Sequence, residues 1–206
     1  MSLFDDAPSM SPSQFFAVSA DCFLVRGKFK PSKETLLPSN SDLLDEDSFA
    51  EVYAGWTPSK LVFYFDVNVP FQSTEGDSIE LFLDTRDMKT KSTISKFCHH
   101  FVFFPTLSQN FYGKEITRFR SDDTHNLCHP EDLNVTPKIE KKGYSLMIEI
   151  PKDCLHGFDP LNFPRIGFTY QINRTGGKPQ HFAVSSDEYA IEQSPSVWGT
   201  LNLENE

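Results

Sequence analysis

The chain has 206 residues, 38% hydrophobic and 23% charged, which suits one well-buried core and is short for two. With 19 Lys and Arg against 29 Asp and Glu the net charge is −10, and no basic stripe interrupts it. Such a surface repels phosphate backbones and anionic lipid, so nucleic acid and membrane are set aside as partners. Aromatic residues make up 14% of the chain, and the 20 Phe point to a strand-rich interior.

Residues 1–13 are acidic and rich in Pro and Ser, and are expected to form a flexible tail ahead of a single domain, 14–206. The start lacks the basic and apolar regions of a secretory signal. The longest apolar runs, such as Leu61 to Phe65 and Phe101 to Phe104, are far below the ~20 residues of a spanning helix. A cytoplasmic location is expected, with leaderless secretion left open. Cys22, Cys98, Cys128 and Cys154 are widely spaced without a Cys-x-x-Cys, and are expected to be buried thiols in a reducing compartment.

Strands follow in chain order. Phe15 to Phe29 reads as one or two. Phe49 to Trp56 joins Leu61 to Val69 through Thr57-Pro58-Ser59-Lys60, a turn with Pro at its second position, which predicts a hairpin. In its second strand Leu61, Phe63, Phe65, Val67 and Val69 share one face, with Tyr64, Asp66 and Asn68 on the other. Asp77 to Asp84 alternates Ile79, Leu81 and Leu83 against Glu80, Phe82 and Asp84. Cys98 to Pro105 follows, broken by Pro105. Then come Gly143 to Ile150, Arg165 to Ile172 and, after Gly176-Gly177, Gln180 to Val184. Helix is limited to short candidates at Ser186 to Gln193 and Pro151 to Gly157. About eight or nine short alternating strands with uneven loops predict an all-β fold, a two-sheet antiparallel β-sandwich of jelly-roll or immunoglobulin-like architecture with very little helix.

The order of features from Phe49 to Asp84 is a Trp ending one strand, a tight turn, an apolar strand, then Asp77-Ser78-Ile79-Glu80-Leu81-Phe82-Leu83-Asp84. It resembles the family 9 carbohydrate-binding modules and the wider DOMON-like sandwiches. Tyr144 to Pro151, Arg165 to Asn173 with its Ile166-Gly167-Phe168, and Pro195 to Leu201 resemble later segments of that family in the same order. Asp84-Thr85-Arg86-Asp87 with Phe97-Cys98-His99-His100-Phe101 is similar to bacterial sandwich proteins of unassigned function. The resemblance implies saccharide binding. In the family's sugar-binding members two Trp rings clamp a sugar; the matching positions here fall near Thr74 and Glu192, neither aromatic, while Trp56 and Trp198 match core positions. Glu75 stands beside the Asp-Ser strand as an acidic residue does in the family.

Period two, with Phe101 and Phe103 inward, turns His99 inward and His100 outward. With Phe182 inward, His181 points outward beside Gln171. His100, Gln171 and His181, with Glu75 at the rim and Arg174 and Tyr189 from loops, are therefore the candidate ligand-binding set for a saccharide or polyol on a concave face. A solvated face with scattered polar residues is the alternative. No metal site is assigned: in Asp122 to His129, His125, Cys128 and His129 offer at most three zinc ligands. No cofactor is expected: Asp77, Asp84 and Asp87 could give oxygen ligands to a structural calcium, which related sandwiches often carry, but no regular ligand loop is present and acidic turn residues are usually just solvated. Arg86 is expected to pair with Asp84. No Gly-x-Ser-x-Gly, His-Glu-x-x-His or phosphate-cradling loop is present, so a non-catalytic role is preferred over an enzyme. A protein-interaction or scaffold sandwich, using its surface or an edge strand to hold a protein partner, is the rival reading. A metal-dependent hydrolase built on the His-rich strands is a third.

Overall fold

The computed structural model describes residues 18–72, 76–91 and 93–205. The expected tail, 1–13, lies outside them, as does Glu75. Among the described residues there are eleven strands: β1 (Ser19–Leu24), β2 (Ala50–Thr57), β3 (Lys60–Val67), β4 (Ser78–Asp84), β5 (Cys98–Ser108), β6 (Phe111–Glu115), β7 (Asn134–Ile139), β8 (Tyr144–Pro151), β9 (Arg165–Asn173), β10 (Gln180–His181) and β11 (Gly199–Glu204). Helix among the described residues is confined to a turn at Ser41–Leu44 and four 3-10 turns. The strands join in the order β6-β5-β4-β9-β11-β1-β2-β3-β8-β7, with β10 beside β9. The sheet folds over at β11 and β1 into two facing layers, and β6 and β7 approach at the far end. All pairings are antiparallel except those of β1, which lies parallel to both β11 and β2, a departure from the fully antiparallel expectation.

The β2–β3 hairpin closes as the sequence dictates. Thr57 faces Lys60 across a two-residue turn, and the Thr57 hydroxyl accepts the Ser59 and Lys60 amides at 3.2 and 3.1 Å. Leu61, Phe63, Phe65 and Val67 face Ile166, Phe168, Tyr170 and Ile172 from the other layer, all buried. Phe63 stacks on Phe168 with ring centroids 5.5 Å apart, and Phe65 meets Tyr170 edge-on at 5.8 Å. Each such ring contributes roughly 1.5–3 kcal/mol by leaving water, so the Phe-rich alternation is what drives the layers together.

Gln180 stitches the two layers at one edge. It is buried, its Oε1 accepts the amides of Phe49 and Ala50 at 2.8 and 2.9 Å, and its Nε2 donates to the Ala50 carbonyl at 3.0 Å.

β5 runs through Pro105 instead of breaking there. Its pairing with β4 stops at Phe103 and its register with β6 shifts between Phe103 and Ser108, so Pro105 withholds no ladder hydrogen bond. β6 and β7 escape a reading by alternation because they are edge strands, and β7 carries Pro137 and little buried surface. The expected strand Gln180 to Val184 shortens to two residues, because the chain from Phe182 onward folds back across the outer face of β4 and β5. There Val184, Ile191, Val197 and Trp198 make a second apolar cluster on Phe82, Ile94 and Cys98, with Phe119 and Tyr189 at its margin. Trp198 donates through Nε1 to the Ile191 carbonyl at 2.7 Å, and Trp56 donates to that of Glu204 at 3.0 Å. Both indoles are core residues.

Candidate functional site

The outer face of β5-β4-β9 is half covered and half open. Register places His100 opposite Phe82, Glu80 opposite Gln171, and Gln171 opposite His181, so His100, Gln171 and His181 do share a face. They do not share its exposure. The His181 side chain is fully buried: its Nδ1 lies 2.6 Å from Glu46 Oε1, its Nε2 lies 3.1 Å from the Ser186 hydroxyl, and its backbone amide donates to Glu46 Oε2 at 2.8 Å. His181 keeps the predicted face, but its expected exposure is corrected: the returning segment and Glu46 seal that end.

At the open end a polar row crosses three strands. Gln171 Nε2 donates to Asn173 Oδ1 at 2.7 Å; Asn173 Nδ2 donates to Ser78 Oγ and Glu80 Oε1 at 3.0 and 3.1 Å; Glu80 Oε2 lies 2.7 Å from His100 Nε2. The His100 ring rests on Phe82, centroids 4.2 Å apart, which fixes its plane. The row ends in a cleft of about 360 Å³ lined by Glu80, His100, Ile116, Arg118, Arg120, Glu192 and Gln193. Arg120 donates to Gln193 across it. Arg118 is exposed and makes no hydrogen bond or ion pair among the described residues. Glu80, Asn173, Arg118 and Arg120 are missing from the sequence reading. Glu80 was within reach of it, since period two puts it on the face of Phe82; the arginines follow β6, a strand the alternation does not show.

Arg174 stands apart from the row. Arg174 pairs with Asp47 at 2.5 Å, donates to the Lys178 carbonyl at 3.2 Å and lies 4.4 Å over the Phe49 ring, so it closes a loop instead of facing the sheet. Tyr189 packs against the second apolar cluster. Arg86 does not pair with Asp84 through its guanidinium. It donates to the Thr85 and Gly157 carbonyls and lies 3.7 Å over the Phe163 ring.

The aspartates set apart for calcium are held by groups of the chain itself. Asp77, at the other end of β4, accepts the Thr175 amide at 2.8 Å. Asp84 accepts the amides of Arg86 and Met88 at 3.0 and 2.8 Å. Asp87 lies 2.8 Å from the Lys89 ammonium, which also donates to the Trp198 and Gly199 carbonyls at 2.6 and 2.7 Å.

His99 lies on the opposite side of β5 from His100, as alternation requires, and joins a buried group. Glu115 Oε1 lies 2.9 Å from His99 Nδ1 and 2.8 Å from His125 Nε2, and accepts the Thr117 hydroxyl at 2.7 Å; its Oε2 accepts the Cys128 amide at 2.7 Å. Burial alone would raise the Glu115 carboxyl, but the hydrogen bonds from His125 and His99 hold it down at about 2. Burial also pushes the His99 imidazole below its ordinary value, against the pull of Glu115. Of the loop residues weighed as zinc ligands, only His125 turns inward to this group; His129 is exposed.

Cys128 and Cys154 are joined in a disulfide, with Cα atoms 4.8 Å apart. The buried-thiol expectation is overturned for this pair, which spacing alone does not reveal. Cys22 and Cys98 are buried and free; burial raises both thiols, that of Cys98 to about 11.

Two facing β layers with a polar cleft on one outer face define a β-sandwich. Among solved structures the chain is similar to a family 9 carbohydrate-binding module from Caldicellulosiruptor kristjanssonii in complex with cellotriose, at 17% identity and a TM-score of 0.58, over 91% of this chain and 95% of that one. The complex of a family 9 module from the same organism with glucose gives 16% identity and a TM-score of 0.58, over 91% and 97%. A Bacteroides uniformis protein described as a candidate carbohydrate-binding protein matches at 9% identity and a TM-score of 0.53, over 91% and 99%. No family model matches the chain, and no curated protein matches it in sequence.

Proposed function

We propose that the chain is a non-catalytic binding module that takes a saccharide or similar polyol in the cleft at His100. The observation that carries this is the row Gln171, Asn173, Glu80, His100, in which each side chain is held by the next before any ligand arrives. A sugar hydroxyl both donates and accepts, and the cleft offers acceptors on Glu80 and Glu192 and donors on Arg118 and Arg120 within one concavity. The fold shared with modules whose structures hold cellotriose and glucose supports the same reading. Glu192, where the resemblance places a clamping Trp, adds no stacking face. Binding then rests on hydrogen bonds from sugar hydroxyls to charged side chains, ~1.5–3 kcal/mol net each, and about two of them correspond to a Kd on the order of 1 mM.

The test is isothermal titration with glucose, cellotriose and a panel that includes uronic and amino sugars. A single saturable site is expected, lost in the double variant H100A/R118A. No heat from any sugar at concentrations well above that Kd refutes the reading, as does affinity unchanged in the double variant.

A further inference from the structure

We propose that His99, Glu115 and His125 form a binding site for one divalent transition-metal ion of the zinc class. The three ligand atoms lie within 4.8 Å of one another, and all three side chains are closed off from water. Tetrahedral zinc holds its ligand atoms about 3.3 Å apart, so shifts on the order of 1 Å convert this group into a coordination shell.

Proton placement favours a cation. The Lys96 carbonyl lies 2.7 Å from His125 Nδ1 and fixes a proton there. The Glu115 carboxylate oxygen, 2.8 Å from Nε2, then calls for a positive centre between the two, either a second ring proton or a metal ion that displaces it. Glu115 Oε1 is also oversubscribed, with three groups at 2.7–2.9 Å around an oxygen that has two lone pairs. On the other imidazole, His99 Nε2 is buried without a hydrogen-bond partner, next to the His156 backbone. A metal on His99 Nδ1 moves that ring's proton to Nε2, where it can donate to the His156 carbonyl. With an ion in place both imidazoles ligate through one nitrogen and donate through the other to a carbonyl, the usual outer arrangement of metal-binding histidines.

The donor set of two imidazoles and one carboxylate suits zinc over calcium or magnesium. His156 is a candidate fourth ligand: its ring lies parallel to that of His125 with centroids 5.7 Å apart, and together they line a cleft with Thr124, Asn126 and Asp153. Such a shielded site holds a structural ion, one that ties the loop carrying His125 to β5 and β6. It faces away from the saccharide cleft and does not depend on it.

The test is titration of chelator-stripped, full-length protein with zinc alone, followed by calorimetry and by competition with a chromophoric chelator. One equivalent is expected to bind at micromolar concentration or tighter, to release protons in a buffer-dependent enthalpy and to raise Tm. E115Q and H125Q are each expected to weaken it at least a hundredfold, while H129Q leaves it unchanged. Cobalt substitution is expected to give the visible bands of a tetrahedral ion. No saturable binding to the wild-type chain overturns the proposal, and so does stoichiometric binding that survives both E115Q and H125Q. Should those variants fail to fold, X-ray absorption on the zinc-loaded wild type decides: two imidazoles and a carboxylate support the site, and any sulfur or all-oxygen shell overturns it.

Discussion

Replacing Gln180 with Met keeps the length of the side chain and removes its three hydrogen bonds to backbone. The Phe49 and Ala50 amides and the Ala50 carbonyl then lose their partner where Gln180 is 1% exposed. A buried polar group left unsatisfied costs about 1–3 kcal/mol, and partial relaxation of the edge offsets some of the total. We expect Q180M to lose about 3–5 kcal/mol, a large part of the roughly 5–15 kcal/mol that holds a domain together. Urea unfolding followed by circular dichroism measures the loss, with the slope of the transition unchanged if the folded state stays compact. Amide exchange adds a local signature: Phe49 and Ala50 should lose protection more than the centre of β3. A Q180M variant within 1 kcal/mol of wild type, taken here as roughly the worth of one hydrogen bond, refutes the argument that this amide joins the layers.

A Cβ added at Gly143 falls 2.1 Å from the Val67 carbonyl oxygen, so G143A is expected to cost about 2 kcal/mol and lower Tm by roughly 4–8 °C in calorimetry. K89M strands the Trp198 and Gly199 carbonyls and part of Asp87. It should lower stability by about 2 kcal/mol in urea, and added calcium should leave the Tm of the wild type unchanged. E192W supplies an aromatic face to the cleft and is expected to tighten sugar binding two- to tenfold, about 0.5–1.5 kcal/mol, by titration with glucose.

The alternation Leu61 to Val67 carried the hairpin and its buried face, because one side of that strand meets only other rings. The same logic placed His99 and His100 on opposite sides of β5. At His181 it gave the face and missed the burial, since the period of a strand states which way a side chain points and nothing about what later returns to cover it. Glu80 sat in a pattern that was read for its apolar neighbours, and its link to Gln171 runs through Asn173, a residue of another strand. The His99, Glu115, His125 group joins β5, the end of β6 and a loop with no periodicity. No local spacing brings those three together; only the pairing of β5 with β6 does.

Lys89 places a positive charge of the chain's own among oxygens from Asp87, Trp198 and Gly199. A covalently attached charge has an effective concentration that dilution does not lower, whereas a dissolved ion must be recruited from its surroundings. The corner between β4 and β11 is therefore expected to keep its shape in ion-poor and ion-rich media alike.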